Sequence, residues 1–135
     1  MASTQKHTIL YIDDDPDDVQ LLQEAVKVIN DHHMLLAASD GAEGLEQLLQ
    51  MKEHGHLPCL VVLDINMPKL DGRQVFKRIK EDKQLASIPV IIFSTSNNPM
   101  DKMFFKGDNV EYITKPISFQ LLLEVATKML EYCER

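Results

Sequence analysis

The chain has 135 residues, 44% of them hydrophobic and 26% charged, which suits one globular domain with a sizeable core. Its 21 acidic and 14 basic residues leave a net charge of -7, which argues against the clustered Lys and Arg of a nucleic-acid or anionic-membrane binder. No apolar run reaches the roughly 20 residues of a membrane-crossing helix, and the N-terminus lacks a charged-then-apolar leader pattern.

The run "TILYI" (8–12) predicts a first strand, followed by Asp13 and Asp14. Asp15 then caps a first helix, with Pro16 at its first position, Asp17 and Asp18 in its first turn, and Val19, Leu22, Val26 and Ile29 as its apolar stripe. "MLLAA" (34–38) predicts strand 2, and Leu45, Leu48 and Leu49 mark a second helix ended by Gly55. "LVVL" (60–63) predicts strand 3, and Val75, Phe76 and Ile79 the third helix. "VIIF" (90–93) is strand 4; a short helix near residues 98–106 follows, with Gly107 as its C-cap. "YIT" (112–114) is strand 5, and Ser118 caps a fifth helix carrying Leu122, Val125 and Met129.

The nearly continuous apolar character of the middle strands fits a sheet covered on both faces. Five alternations of strand and helix argue for a parallel α/β sheet and a single domain, residues 1–135 with a core of about 7–133. Cys59 and Cys133 are far apart in sequence and match no metal or redox motif, so a reduced cytoplasm is the expected compartment. The histidines (His7, His32, His33, His54, His56) lack the spacing of a zinc site and are expected to be solvated loop residues.

The residues that follow the apolar runs carry the chemistry. Strand 1 ends in Asp13 and Asp14, strand 3 in Asp64, strand 4 in Ser94 and Thr95, and strand 5 in Lys115. Parallel strands place them on one edge, where an open α/β sheet binds its ligands. Crowded carboxylates call for a cation, and an oxygen-only set suits Mg²⁺. A lysine and a hydroxyl nearby suit phosphoryl oxygens, and a carboxylate nucleophile can accept a phosphoryl group.

The segments "ILYIDDDP", "VVLDINMPKLDG", "PVIIFSTS" and "YITKP", in that order, resemble the receiver domains of two-component response regulators over roughly residues 7–133. The resemblance implies a flavodoxin-like, doubly wound five-stranded sheet of order 2-1-3-4-5 with five helices. It implies Asp64 as phosphoacceptor, and Asp13, Asp14, Asp64 and the backbone carbonyl of Asn66 around Mg²⁺. Lys115 matches the phosphate-binding lysine, Ser94 the switch hydroxyl, and Tyr112 the aromatic position that moves inward with it. Lys115-Pro116 matches a peptide bond that is usually cis in the family.

The donor implied is a sensor histidine kinase or histidine phosphotransfer protein. The short form is similar to stand-alone regulators paired with bacteriophytochrome kinases. Output is expected through protein contact at the helix 4–strand 5–helix 5 face, where Met100, Met103, Phe104 and Phe105 fall, with a homodimer or a downstream protein as occupant. Thr95 stands where many receivers carry alanine, and the segment from Ser94 to Lys115 is slightly short. Such a domain assists only its own phosphorylation and dephosphorylation. An aspartate-nucleophile phosphohydrolase would need a second carboxylate at the Asn66 position. A phosphorylation-independent docking module of the same fold is the alternative reading.

Overall fold

The computed structural model describes residues 7–30, 32–107 and 109–134. The elements are β1 (Thr8–Ile12), α1 (Pro16–Ile29), β2 (Met34–Ala38), α2 (Gly41–Glu53), β3 (Leu60–Leu63), α3 (Gly72–Glu81), β4 (Val90–Ser94), α4 (Pro99–Phe104), β5 (Val110–Thr114) and α5 (Phe119–Cys133). A 3-10 turn at Leu85–Ser87, absent from the sequence reading, leads into β4. The strands form one parallel sheet in the order β2-β1-β3-β4-β5, as expected.

Alternating side chains divide the core into two layers. Leu10, Ile12, Val61, Leu63, Val90 and Ile92 pack with Leu48 of α2 and Val75, Phe76 and Ile79 of α3. Ile9, Tyr11, Leu60, Val62, Ile91 and Phe93 pack with Leu22 and Val26 of α1 and Leu122, Ala126 and Met129 of α5. The predicted caps hold. Asp15 accepts from the Asp17 and Asp18 amides, Ser118 from that of Leu121, and Gly55 takes a left-handed φ of 74° just past α2. Among the described residues, no helix is long and apolar enough to cross a membrane.

Several sequence expectations are corrected. The helix expected near 98–106 spans only Pro99–Phe104, and its cap is Phe105, not Gly107. Phe105 turns into the core, edge-on to Phe76 at 5.2 Å between ring centroids, and this contact ends the helix early. Leu49 is exposed, because the buried face of α2 is set by Gly41, Gly44 and Leu48 at helical spacing. His33 is buried and stacked on His7 at 5.3 Å, since the pairing of Thr8 with Met34 makes the two histidines neighbours below the sheet. No peptide bond among the described residues is cis, so Lys115–Pro116 is trans. The Xaa-Pro preference of about 0.5–1 kcal/mol is small enough for the loop to decide.

Cys59 and Cys133, which match no redox motif in the sequence, form a disulfide with Cα atoms 4.9 Å apart. Cys59 precedes β3 and Cys133 closes α5, and packing of α5 against the sheet brings together residues 74 apart in sequence.

Candidate functional site

Chain order reverses across β1, which has β2 on one side and β3 on the other. Open α/β sheets bind ligands beyond the strand ends at such a point. Ile12 is in register with Leu63, so Asp13 and Asp64 leave the sheet together. The Asp64 amide donates to the Ile12 carbonyl and the Asp13 amide to the Ala38 carbonyl, both at 3.0 Å. Asp13, Asp14 and Asp64 thereby bring carboxylate oxygens within 4.8 Å of one another, with Asp13 and Asp64 buried and Asp14 exposed.

Register also delivers the cation. Ser94 pairs with Thr114, and the Lys115 amide donates to the Ser94 carbonyl at 2.8 Å. The Lys115 ammonium donates to Asp13 at 2.7 Å and to Asp18 at 2.8 Å, and stands 3.8 Å from Asp64. Burial works to deprotonate Lys115, but the hydrogen bonds to Asp13 and Asp18 and the charges of Asp13 and Asp64 outweigh it, so its pKa is raised. Asp64 is pushed up to about 6, first by burial and next by the charge of Asp13, against the opposing pull of Lys115.

Asp13 is fully engaged. One oxygen accepts from the Tyr11 hydroxyl at 2.6 Å as well as from Lys115, and the other accepts from the Asp15 amide at 3.0 Å. Burial, and then the Asp13 charge, push the Tyr11 hydroxyl far above its ordinary value, so it remains a donor at any working pH. Sequence reasoning took Tyr11 only as a strand residue and Asp18 only as first-turn helix acid. The one readable signal for Asp18 was its place one turn into α1, close above the exit of β1.

An oxygen-only cluster with more carboxylates than ammonium groups has the chemistry of a hard divalent-cation site, so the donor set fits a divalent ion. Asn66 lies exposed two residues beyond Asp64. Gly72 holds this loop against the Asp64 backbone: its amide donates to the Ile65 carbonyl at 2.8 Å, and a Cβ there would stand 2.3 Å from the Asp64 carbonyl oxygen. The glycine of "KLDG" was visible in the sequence, but this contact was not.

Ser94 is fully buried at the end of β4, and its hydroxyl oxygen accepts from the Ser96 amide at 3.2 Å. Thr95 is exposed beside it. Tyr112 is half-buried on the edge strand and is not brought to Asp64; its hydroxyl donates to the Ser96 carbonyl at 2.7 Å. The Ser96 hydroxyl in turn donates to Asp101 of α4 at 2.9 Å, and Arg73 of α3 pairs with the same carboxylate. The Arg73 hydrogen bond holds the Asp101 carboxyl below its usual range, against burial and with help from Ser96. Neither Arg73 nor Asp101 stood out in the sequence.

The family described as the response regulator receiver domain matches residues 9–127. Response regulator Rcp1 of Synechocystis sp. is 37% identical over 101 residues, covering 73% of this chain and 69% of Rcp1. A probable cyclic di-GMP phosphodiesterase of Vibrio cholerae is 33% identical over 90% of this chain, which spans only 26% of that protein. The structure of the phosphorylated cyanobacterial phytochrome response regulator RcpA is similar with a TM-score of 0.83 and 33% identity, covering 94% of this chain and 93% of RcpA. The Mn²⁺-bound form of Rcp1 is similar with a TM-score of 0.73 and 31% identity, covering 91% of each chain.

Proposed function

The chain belongs to the response regulator receiver domain family, and we propose that Asp64 is its phosphoacceptor. A carboxylate oxygen of Asp64 attacks the phosphorus of a phosphohistidine on a histidine kinase or histidine phosphotransfer protein. The O–P bond forms as the P–N bond breaks, and the imidazole leaves. Asp13, Asp14, Asp64 and the backbone carbonyl of Asn66 would hold Mg²⁺, which when bound would supply positive charge against the phosphoryl oxygens.

The remaining steps belong to the chain's own side chains. Lys115, 3.8 Å from Asp64, turns from Asp13 and Asp18 toward the phosphoryl group. The Ser94 hydroxyl donates to a phosphoryl oxygen, which disturbs the Ser96 segment that its oxygen now holds. Ser96 is tied to Tyr112 and to Asp101, so the displacement reaches β5 and α4 together. Met100, Met103 and Phe104 lie exposed on α4, where a downstream protein or a second copy of the chain would sense the change.

The domain assists its own phosphorylation and dephosphorylation and turns over no separate substrate. The likeness to Rcp1 and RcpA favours a phytochrome-class kinase as donor. Such kinases draw phosphoryl groups from ATP, which places the proposed work in the cytoplasm, with residues 7–133 acting as one receiver unit. The observation that carries the reading is the single ammonium of Lys115 shared among carboxylates from two adjacent strand ends and α1. Incubation with a phosphohistidine donor and Mg²⁺ tests it. The wild type should gain one acid-stable, alkali-labile phosphoryl group and Asp64→Asn none. Label on both proteins would put the phosphoryl group on a residue other than Asp64, and label on neither across several donors with cation binding intact would favour the docking module.

A further inference from the structure

The disulfide lies at the end of the sheet opposite the phosphoryl site. Cys59 directly precedes β3, Asp64 directly follows it, and the four extended residues of β3 separate them by roughly 16 Å. The bond fastens the last residue of α5 to the sheet. A groove of about 370 Å³ opens beside it, lined by Leu57, Pro58, Ser87, Pro89, Asn109 and Tyr132. Both cysteines line the groove, and Cys59 is half-buried while Cys133 is buried. The opened form also has a place for its thiol, because the Cys59 sulfur lies 3.3 Å from the Thr8 carbonyl and a freed S–H can donate there. Tyr132 and Lys128 reach Glu111 of β5, so α5 keeps polar anchors when the bond is absent.

We propose that Cys59–Cys133 is a reversible thiol–disulfide site, opened by a small dithiol reductant that enters this groove. A thiolate of the reductant attacks the Cys59 sulfur, the S–S bond breaks, and Cys133 leaves as a thiolate that takes a proton. The reductant's second thiol then displaces Cys59 and closes its own disulfide, so two electrons and two protons pass to the protein. The physiological side of the proposal rests on the cytoplasmic reading above, since disulfides that form in a reducing compartment are usually transient or redox-sensing. Reduction removes the covalent tie at the end of α5, a helix of the proposed output face, and leaves the Asp13–Asp64 cluster untouched.

The test equilibrates the wild-type protein in mixtures of oxidised and reduced dithiothreitol, a small dithiol, from oxidising to cytosol-like poise. Free thiols are trapped with N-ethylmaleimide and counted by intact mass, and thermal unfolding is followed in parallel. The expected result is no modification in oxidising buffer and two modified cysteines in reducing buffer. The fold should be retained, the melting temperature should fall by about 10 °C, and reoxidation should restore both values. Cys59→Ser and Cys133→Ala should each melt near the reduced wild type whatever the buffer. Two reactive thiols in oxidising buffer would overturn the proposal, and so would a bond that yields only after denaturation. Phosphorylation of Asp64 is scored separately, so a failure here is distinguishable from a failure of the receiver reading.

Discussion

The Lys115 ammonium stands 3.8 Å from an oxygen of Asp64, close enough to attract its charge and too far to hydrogen-bond it. At the same time it donates to Asp13 and Asp18 at 2.7 and 2.8 Å. The cation is therefore committed to Asp13 and Asp18, and in the proposed function it would compete with a divalent ion for Asp13. Replacing it with an uncharged side chain of similar length separates the two roles. Lys115→Met should bind Mg²⁺ about tenfold more tightly, or ~1.4 kcal/mol, while melting lower in chelator. Titration calorimetry with both proteins checks this, and weaker Mg²⁺ binding by the variant would count against the competition.

Asp64 has a folded pKa raised to about 6 by burial and by the charge of Asp13. A raised acid binds more protons folded than unfolded, so its contribution to stability is most favourable below the unfolded value near 4 and is lost as pH climbs through 6. At neutral pH the ionised carboxylate thus costs stability, on the order of 2–3 kcal/mol. In chelator, Asp64→Asn should melt above the wild type at pH 7.5, and the gap should close as pH falls from 6 to 4. Thermal unfolding across that range decides it; a gap that widens on acidification would reverse the assigned direction.

Gly72 and Gly55 separate close packing from backbone conformation. A Cβ at Gly72 would stand 2.3 Å from the Asp64 carbonyl oxygen, whereas Gly55 has a φ of 74° and open space around it. Gly72→Ala should cost about 1–3 kcal/mol and slow phosphorylation by moving the backbone of Asp64, the proposed phosphoacceptor. Gly55→Ala should cost about 1 kcal/mol and leave the rate alone. Equal phosphorylation rates in the two variants would remove Gly72 from the positioning of Asp64.

Asp101 joins the loop after β4 to α3, accepting from Ser96 and pairing with Arg73. Asp101→Ala leaves both donors without this acceptor and should cost about 1–3 kcal/mol. Tyr112→Phe loses only the 2.7 Å bond to the Ser96 carbonyl and should cost about 1 kcal/mol. Amide exchange should quicken over α4 in the first variant much more than in the second. Unchanged protection of α4 in both would break the proposed link from Ser94 to the output face.

The strand runs and caps were legible because they are local: hydrophobic period, Asp15 with Pro16, and Ser118 all act within a few residues. The strand-end aspartates and Lys115 were legible for a topological reason, since parallel strands carry every terminal residue to one edge. Contacts made by packing across the fold were not. Phe105 capping α4, the His7–His33 stack, the Asp18–Lys115 pair and the Cys59–Cys133 bond each join segments whose proximity no local pattern encodes. The Lys115–Pro116 bond was expected to be cis by likeness alone, and the loop adopts trans.

The central claim is that Asp64 itself carries the phosphoryl group, and borohydride trapping tests it most directly. The protein would be phosphorylated with a small phosphodonor and Mg²⁺, reduced with borohydride, digested and sequenced by mass spectrometry. An acyl phosphate is reduced to an alcohol, so the account predicts homoserine at position 64, and at no other aspartate. Homoserine at position 13 or 14 with Asp64 intact, or no conversion in a protein that binds Mg²⁺ and holds a measurable phosphoryl group, would contradict it.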